Sequence, residues 1–134
     1  MNGECLCRGV CVTVAARPDY INICNCRFCR SSGAAWGYYE RAQVTVAGET
    51  REFTRDDIDD AWLIKHFCPT CGATTHYSAT PQHPSERVGV NMRLFLQDHL
   101  AGIEARFEDG RQVDREDDDF VCTAQGRIGD GTAF

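Results

Sequence analysis

Short segments of alternating or β-branched residues, separated by glycine, proline and polar residues, run through most of the chain. A two-residue alternation indicates strands that are half buried, and the separating residues are typical of turns. Strands are predicted at the following positions: 10–15, 20–24, 44–48, 51–55, 61–67, 73–79, 87–95 and 103–107. Residues 97–103 fit a helical turn, and no segment carries a long 3.6-residue period. The predicted class is therefore mostly β, with short strands joined by loops.

The length of 134 residues predicts a single domain spanning residues 1–134. The net charge of -6 and the absence of a basic stripe argue against nucleic acid or an anionic membrane as a partner. No signal peptide and no apolar run of the roughly 20 residues that span a bilayer are visible, so a cytoplasmic location is expected. Acidic clusters at 56–60 and 115–120 lack the spacing of a calcium loop and are interpreted as solvated loops.

Nine cysteines cannot all pair, and in the cytoplasm clustered cysteines usually bind metal. The sequence "CPTCG" places Cys68 and Cys71 in a tight turn, and Gly72 permits the positive φ that such a turn needs. Cys5 and Cys7, two residues apart, would point to the same side of an extended segment. Together the two pairs form a four-cysteine set, which is a standard structural zinc geometry.

This assignment leaves Cys24, Cys26 and Cys29 as a compact group of three. Three protein ligands and one open position are the pattern of catalytic zinc, whose open position takes water or a substrate thiolate. Two alternatives stay open from spacing alone. A fourth ligand would close the site, drawn from the four histidines or Cys122, or Cys24 and Cys26 would pair with the Cys68–Cys71 turn instead. Cys11 and Cys122 stand outside these groups, without an assigned role.

A few polar and aromatic residues are further candidates for contact with a ligand. Arg30 flanks Cys29 and suits a carboxylate of a thiol substrate, whereas Asn91 and Arg93 alternate on one face of a predicted strand and would line a cleft. The ordinary alternative for each is a solvated or structural role. The aromatic residues of "WGYY" at 36–39 would form either a substrate wall or part of the core.

The segments "CLCRGV", "CNCRFCRSSG" and "FCPTCG", in this order and at these intervals, resemble the glutathione-dependent formaldehyde-activating enzyme family, which also contains centromere-protein-V-like proteins. The resemblance covers roughly residues 3 to 110. It implies a β-tent of twisted antiparallel sheets, with a structural zinc on Cys5, Cys7, Cys68 and Cys71. It also implies a catalytic metal on Cys24, Cys26 and Cys29. The implied activity is that of a carbon–sulfur lyase acting on S-hydroxymethylglutathione, with glutathione as co-substrate and formaldehyde as the aldehyde.

The sequence departs from the family pattern directly after the first cysteine pair, where a glycine is usual and Arg8 stands instead, followed by Gly9. The turn is expected to shift by one residue without moving the ligands. The alternative to an enzyme is a non-catalytic module, held together by zinc, that binds protein partners. A chromatin or microtubule role like that of centromere-protein-V-like members is disfavoured by the negative charge and the missing basic extension.

Overall fold

The computed structural model describes residues 1–55, 58–111 and 120–134. Its helices are short, and most of its regular structure is in strands. Two helices, α1 and α2, span Arg27–Ser32 and Gln97–Leu100, and 3-10 turns span Arg41–Gln43 and Met92–Leu94. The described strands are β1 Asn2–Glu4, β2 Cys11–Val14, β3 Tyr20–Cys24, β4 Trp36–Glu40, β5 Val44–Ala47, β6 Arg51–Thr54, β7 Leu63–Phe67, β8 Thr74–Ala79, β9 Arg87–Asn91, β10 Glu104–Asp109 and β11 Val121–Arg127. The predicted mostly β class is confirmed.

These strands form two sheets. The smaller has the order β1-β2-β5, and the larger has eight strands in the order β11-β10-β3-β4-β9-β8-β7-β6. Among the described strand pairs, β3 and β10 run parallel and the others antiparallel. The antiparallel expectation therefore fails at one pair, which joins Tyr20–Cys24 to the distant segment Glu104–Asp109.

The pattern of alternation located most strands but missed β1, β4, β11 and α1. Strand β4 carries four aromatic or glycine residues in succession and so shows no alternation, whereas α1 has only six residues and is too short to show a 3.6-residue period. The strand predicted at 87–95 ends at Asn91, because the Asn91 side chain accepts a hydrogen bond from the backbone N–H of Arg93 and starts a 3-10 turn there. The helical turn predicted at 97–103 is confirmed by α2.

Successive side chains of β3 point alternately into the main hydrophobic core and to the opposite face, which carries Cys24. Ile21 and Ile23 pack into the main hydrophobic cluster, whereas Tyr20, Asn22 and Cys24 face the other way. Further hydrophobic clusters form around each of the two cysteine groups. Strand β3 thus holds Cys24 in place on one face because its aliphatic side chains are buried on the other.

The acidic clusters fall largely outside the described residues, so their interpretation as solvated loops stays a prediction. In the part of the first cluster that is described, Asp59 and Asp60 are exposed. No described helix is long and apolar enough to cross a membrane.

Candidate metal centres

The first cysteine centre joins the N-terminal segment to the middle of the chain. Cys5 follows β1 and Cys68 follows β7, and both are buried. All four Sγ atoms of the predicted set, Cys5, Cys7, Cys68 and Cys71, lie within 4.8 Å of one another. The Sγ of Cys7 is 3.6 Å from that of Cys5 and 3.5 Å from that of Cys68. A tetrahedron with zinc–sulfur bonds of about 2.3 Å has edges of roughly 3.8 Å, so the donor set fits zinc.

The two turns that present these sulfurs rely on left-handed backbone. Gly72 has φ 72°, and its N–H donates to the carbonyl of Cys68 at 2.9 Å. Arg8 has φ 62°, and its N–H donates to the carbonyl of Cys5 at 2.8 Å. Cys5 and Cys7 therefore lie in a turn, not in the extended segment that was expected. The predicted one-residue shift of the turn is also wrong, because Arg8 itself adopts the conformation that glycine adopts more easily.

Backbone N–H groups around this centre favour thiolates. The N–H of Val10 donates to the Sγ of Cys5 at 3.2 Å. Hydrogen bonds from the backbone of Ala73 and Cys7 lower the pKa of Cys71 to about 6. The backbone N–H of Cys71 lowers the pKa of Cys68 in the same way. Because zinc binds the thiolate and not the thiol, these donors prepare the centre for the metal.

The second centre is built at the junction of β3 and α1. Cys24 ends the strand, Cys26 is the N-cap of the helix, and Cys29 lies in its first turn. Their Sγ atoms all lie within 4.8 Å of one another. The Sγ of Cys26 accepts the backbone N–H of Cys29 at 3.4 Å, so this cysteine both caps the helix and faces the other sulfurs. We call these three residues the cysteine triad.

Hydrogen bonds to sulfur hold the triad in place. The backbone N–H of Cys26 donates to the Sγ of Cys24 at 3.3 Å, and the indole Nε1 of Trp36 donates to the Sγ of Cys29 at 3.1 Å. Hydrogen bonds with Cys24 and Cys29 lower the pKa of Cys26. The bond with Cys26 raises the pKa of Cys24, and bonds with Cys24 and Cys26 raise the pKa of Cys29. Three thiolates at this spacing repel one another, so all three ionise together only beside a cation. The triad therefore fits a thiolate-binding metal such as zinc.

The structure decides between the alternatives that spacing left open. Among the described residues, ligand atoms of three or more His, Cys, Asp or Glu residues meet in these two groups, which do not share a cysteine. The alternative pairing of Cys24 and Cys26 with the Cys68–Cys71 turn is therefore wrong. Cys122 is exposed on β11, and its Sγ donates to the carbonyl of Ala124.

The histidines likewise lie away from the triad. The rings of His66 and His76 stack on each other at 4.1 Å and bond to Ser78 and Thr75. His83 pairs with Asp60, and His99 is exposed in α2. Within residues 1–55, 58–111 and 120–134, no histidine, cysteine or carboxylate completes the triad as a fourth ligand.

The triad opens into a cavity of about 300 Å³. One part of the wall is aromatic. The ring of Phe28 stacks on Trp36 at 5.9 Å, and Tyr77 meets Trp36 edge-on at 4.9 Å. The wall also includes Trp62 and Phe120. Such a wall excludes water from the sulfurs and packs against the apolar part of a ligand.

A polar network occupies another part of the wall. The side-chain nitrogen of Asn22 donates to the Tyr38 hydroxyl at 2.7 Å and to Oε2 of Glu108 at 2.5 Å. Burial raises the pKa of both Tyr38 and Glu108. The guanidinium of Arg87 lies 3.9 Å from the centre of the Tyr38 ring, and Arg55 also lines the cavity. The cavity therefore presents sulfur, hydrogen-bonding groups that include the Glu108 carboxyl, and the positive charges of two arginines to a ligand.

The three residues predicted to contact a ligand lie outside this cavity lining. Arg30 is exposed, and its Nε donates to the carbonyl of Asn25. Asn91 is buried and its side chain hydrogen-bonds to backbone groups, donating to the carbonyl of Thr74. Arg93 is exposed and stacks on the ring of Phe134. The structure does not bring them to the triad, and their role in ligand binding stays a prediction.

The structure instead assigns the wall to residues that pattern analysis missed or left ambiguous. Trp36 and Tyr38, two residues apart on β4, both line the cavity, whereas Tyr39 packs in the main core. Asn22 stands two residues before Cys24. Alternation along β3 places both side chains on the same face, so the sequence could have predicted that Asn22 lies beside the triad. Glu108 and Arg87 carried no such signal, because sheet pairing alone brings them to the site.

The fold and its two centres define a small, mostly β protein with one four-cysteine and one three-cysteine group suited to metal ions such as zinc. The model of the family described as glutathione-dependent formaldehyde-activating enzyme matches residues 1–108, and the chain belongs to this family. The chain is also similar to a Rhodobacter sphaeroides protein whose crystal structure was solved as a structural genomics target. The two share 26% sequence identity with a TM-score of 0.58, over 71% of this chain and 87% of that one. No curated protein matches the chain.

Proposed function

We propose that this protein is a zinc-dependent carbon–sulfur lyase that acts on a thiol–aldehyde adduct of the S-hydroxymethylglutathione type. The observation that supports this most directly is the cysteine triad, which has no fourth ligand among the described residues and opens into a cavity. Family membership supports the same substrate class. We further propose one structural and one catalytic zinc, small-molecule thiol and aldehyde as the partners, and the cytoplasm as the location.

The proposed reaction is reversible and involves no change of oxidation state. Cleavage breaks the carbon–sulfur bond of the adduct, converts its C–OH group to the C=O of the aldehyde, leaves the electron pair on sulfur as thiolate, and releases the hydroxyl proton to water. Zinc on Cys24, Cys26 and Cys29 would supply Lewis acidity and favour the thiolate form of the substrate sulfur.

The residues of the chain bind and orient the adduct. The rings of Phe28, Trp36 and Tyr77 surround the reacting end and limit access of water. The positive charge of Arg87, held over the Tyr38 ring, suits a carboxylate of an anionic thiol such as glutathione. At about 300 Å³ the cavity lies at the small end of ligand pockets. It therefore fits the reacting end of a peptide thiol, with the remainder extending outward.

The test is the variant Cys29→Ser, because a serine hydroxyl stays protonated at neutral pH and is a far poorer zinc ligand. We expect a folded protein that holds one zinc per chain instead of two and has lost both thiol binding and turnover. Metal counting, circular dichroism and NMR measurement of glutathione–formaldehyde exchange, relative to a protein-free sample, check these points. Cys122→Ser is the control, since Cys122 is exposed and belongs to neither centre.

Two results would contradict the proposal. If Cys29→Ser keeps full turnover, the triad is not catalytic, and if it fails to fold, the triad is structural.

Cobalt exchange distinguishes the proposed enzyme from the alternative, a non-catalytic module that binds protein partners. The cobalt spectrum of the wild-type protein should shift when glutathione is added, whereas a closed, non-catalytic site would give a spectrum that glutathione leaves unchanged.

A further inference from the structure

We infer that Asn22 binds the substrate, its side-chain oxygen accepting a hydrogen bond from the hydroxyl of a thiol–aldehyde adduct whose sulfur lies at the cysteine triad. This inference rests on the proposed function and adds a specificity-determining residue to it.

The first observation is an unsatisfied buried acceptor. Asn22 is 4% exposed, and its Oδ1 has no hydrogen-bond partner among the described residues. Leaving such an atom unpaired costs about 1–3 kcal/mol, so native structures seldom do so without a reason. The buried Asn91 shows the usual outcome, since its Oδ1 accepts from two backbone N–H groups.

The orientation of the amide follows from its neighbours. A Glu108 carboxylate accepts hydrogen bonds and does not donate them, so the amide nitrogen of Asn22 faces Oε2 of Glu108. The same nitrogen uses its other hydrogen on the Tyr38 hydroxyl. Both donors are thereby used, and Oδ1 is left without a partner among the described residues. Because this oxygen is enclosed by its neighbours, a ligand reaches it when the side chains around it shift.

The second observation is position. Asn22 and Cys24 are two residues apart on β3, so their side chains point to the same face of the strand, about 6.6 Å apart along it. Both line the cavity. The hydroxyl of the adduct is two bonds from its sulfur. A ligand with its sulfur at the triad can therefore turn its hydroxyl toward the wall that Asn22 occupies.

A hydrogen-bond acceptor such as Oδ1 of Asn22 distinguishes the adduct from the free aldehyde and the free thiolate. The carbonyl oxygen of a free aldehyde only accepts hydrogen bonds, and a thiolate has no hydrogen to donate. The adduct carries an O–H group and can donate it to Oδ1. Asn22 thus favours the adduct over either of its separated parts.

The experiment compares two thiols of nearly equal shape, 2-mercaptoethanol and 1-propanethiol, of which the first carries a hydroxyl. Their affinities are measured from the absorption shift of the cobalt-loaded protein, for the wild type and for Asn22→Leu. We expect the preference for 2-mercaptoethanol to fall by roughly three- to tenfold in Asn22→Leu, the effect of one neutral hydrogen bond. Because each variant serves as its own reference, a general loss of stability cancels from the ratio.

A variant outside the cavity controls for indirect effects. Thr80→Val removes a buried hydroxyl that bonds to the carbonyl of Ala61, and neither residue lines the cavity, so the preference should stay unchanged. If Asn22→Leu does not fold, a crystal of the wild type with 2-mercaptoethanol decides. Its hydroxyl should lie within hydrogen-bonding distance of Oδ1.

The outcomes separate this inference from the proposed function. If both thiols shift the spectrum and Asn22→Leu keeps the wild-type preference, Asn22 does not bind the hydroxyl and the inference is overturned alone. A crystal in which the hydroxyl points away from Asn22 overturns it equally. If neither thiol shifts the spectrum, the proposed function fails and this inference fails with it.

Discussion

Gly110 brings the backbone after β10 against the cysteine triad, where a larger residue would collide. A Cβ atom added there would lie 2.6 Å from the Sγ of Cys24 and 3.0 Å from the Cβ of Cys26. Non-bonded heavy atoms prefer separations of about 3.5–4.0 Å, so the overlap with sulfur is roughly 1 Å. The backbone cannot easily retreat, because the N–H of Gly110 donates to Oδ1 of Asn25 at 2.9 Å. In Gly110→Ala the sulfur must therefore move.

A metal site tolerates little of such movement. Zinc–sulfur distances of about 2.3 Å vary by only about 0.2 Å, so a displacement of roughly 1 Å at Cys24 spoils the site. We expect Gly110→Ala to weaken zinc binding at the triad by at least about tenfold. Unfolding free energy should fall by about 1–3 kcal/mol, as in other overpacked sites. The four-cysteine centre should keep its metal, because no atom of it is among the contacts of the added methyl.

Chelator competition with metal counting gives the zinc affinity, and urea unfolding gives the stability. Gly37→Ala is the matched control, since its added Cβ would lie 2.7 Å from the Sδ of Met92, a similar overlap in the main core. That variant should lose stability and keep both metals. If Gly110→Ala binds two zinc ions with wild-type affinity, the close approach to Cys24 does not limit the site and the reasoning is refuted.

Three further predictions concern stability. Cys68→Ser should prevent cooperative folding as seen by circular dichroism, because structural zinc contributes on the order of 10 kcal/mol in small domains. Arg8→Gly should raise the free energy of unfolding by up to about 1 kcal/mol in urea titration, since glycine relieves the positive φ of 62°. Burial lowers the pKa of His76 to about 3 from 6.5. The unfolded chain therefore binds protons first as the pH falls. Between pH 6.5 and pH 5 this proton uptake lowers the free energy of unfolding of the wild type by about 1.6 kcal/mol. His76→Phe should lack that loss when the two proteins are compared by urea titration at several pH values.

Each of these three predictions would be contradicted by a specific result. A cooperative melt of Cys68→Ser near the wild-type temperature would show that the four-cysteine centre is not needed for folding. Arg8→Ala is the control for the glycine variant, because it removes the exposed Arg8–Glu4 pair but keeps the Cβ atom. Equal stability of the two variants would mean that backbone strain is absent. Parallel pH profiles of His76→Phe and the wild type would show that this histidine titrates normally.

Local sequence determined the strand class and the three short groups into which seven of the cysteines fall. Alternating residues need no distant partner to specify a strand, which is why Tyr20–Cys24 and Thr74–Ala79 were predicted close to their observed bounds. The Cys68–Cys71 turn is likewise closed by its own backbone, with Gly72 in the left-handed conformation. Cysteines at such short spacing can meet at one metal whatever the rest of the chain does.

The surroundings of the triad depend on strand order, which no local pattern contains. Glu108 reaches Asn22 because β10, more than 80 residues later, pairs in parallel with β3. Arg87 reaches Tyr38 through the pairing of β9 with β4. The same pairing ends at Asn91. Alternation had suggested that its side chain faces the cavity, but it hydrogen-bonds to backbone groups instead.

The sequence by itself therefore determined that this protein is mostly β and carries most of its cysteines in three short groups. The fold decided that the Cys5–Cys7 group meets the Cys68–Cys71 group and leaves the triad separate. Only the tertiary structure decided that Asn22, Tyr38 and Glu108 form one network beside the triad and that Gly110 passes against Cys24. The physical reason is the range of the interactions. Turns and alternation arise from neighbours in sequence, whereas the cavity wall is assembled from strands whose pairing is decided by burial of the whole core.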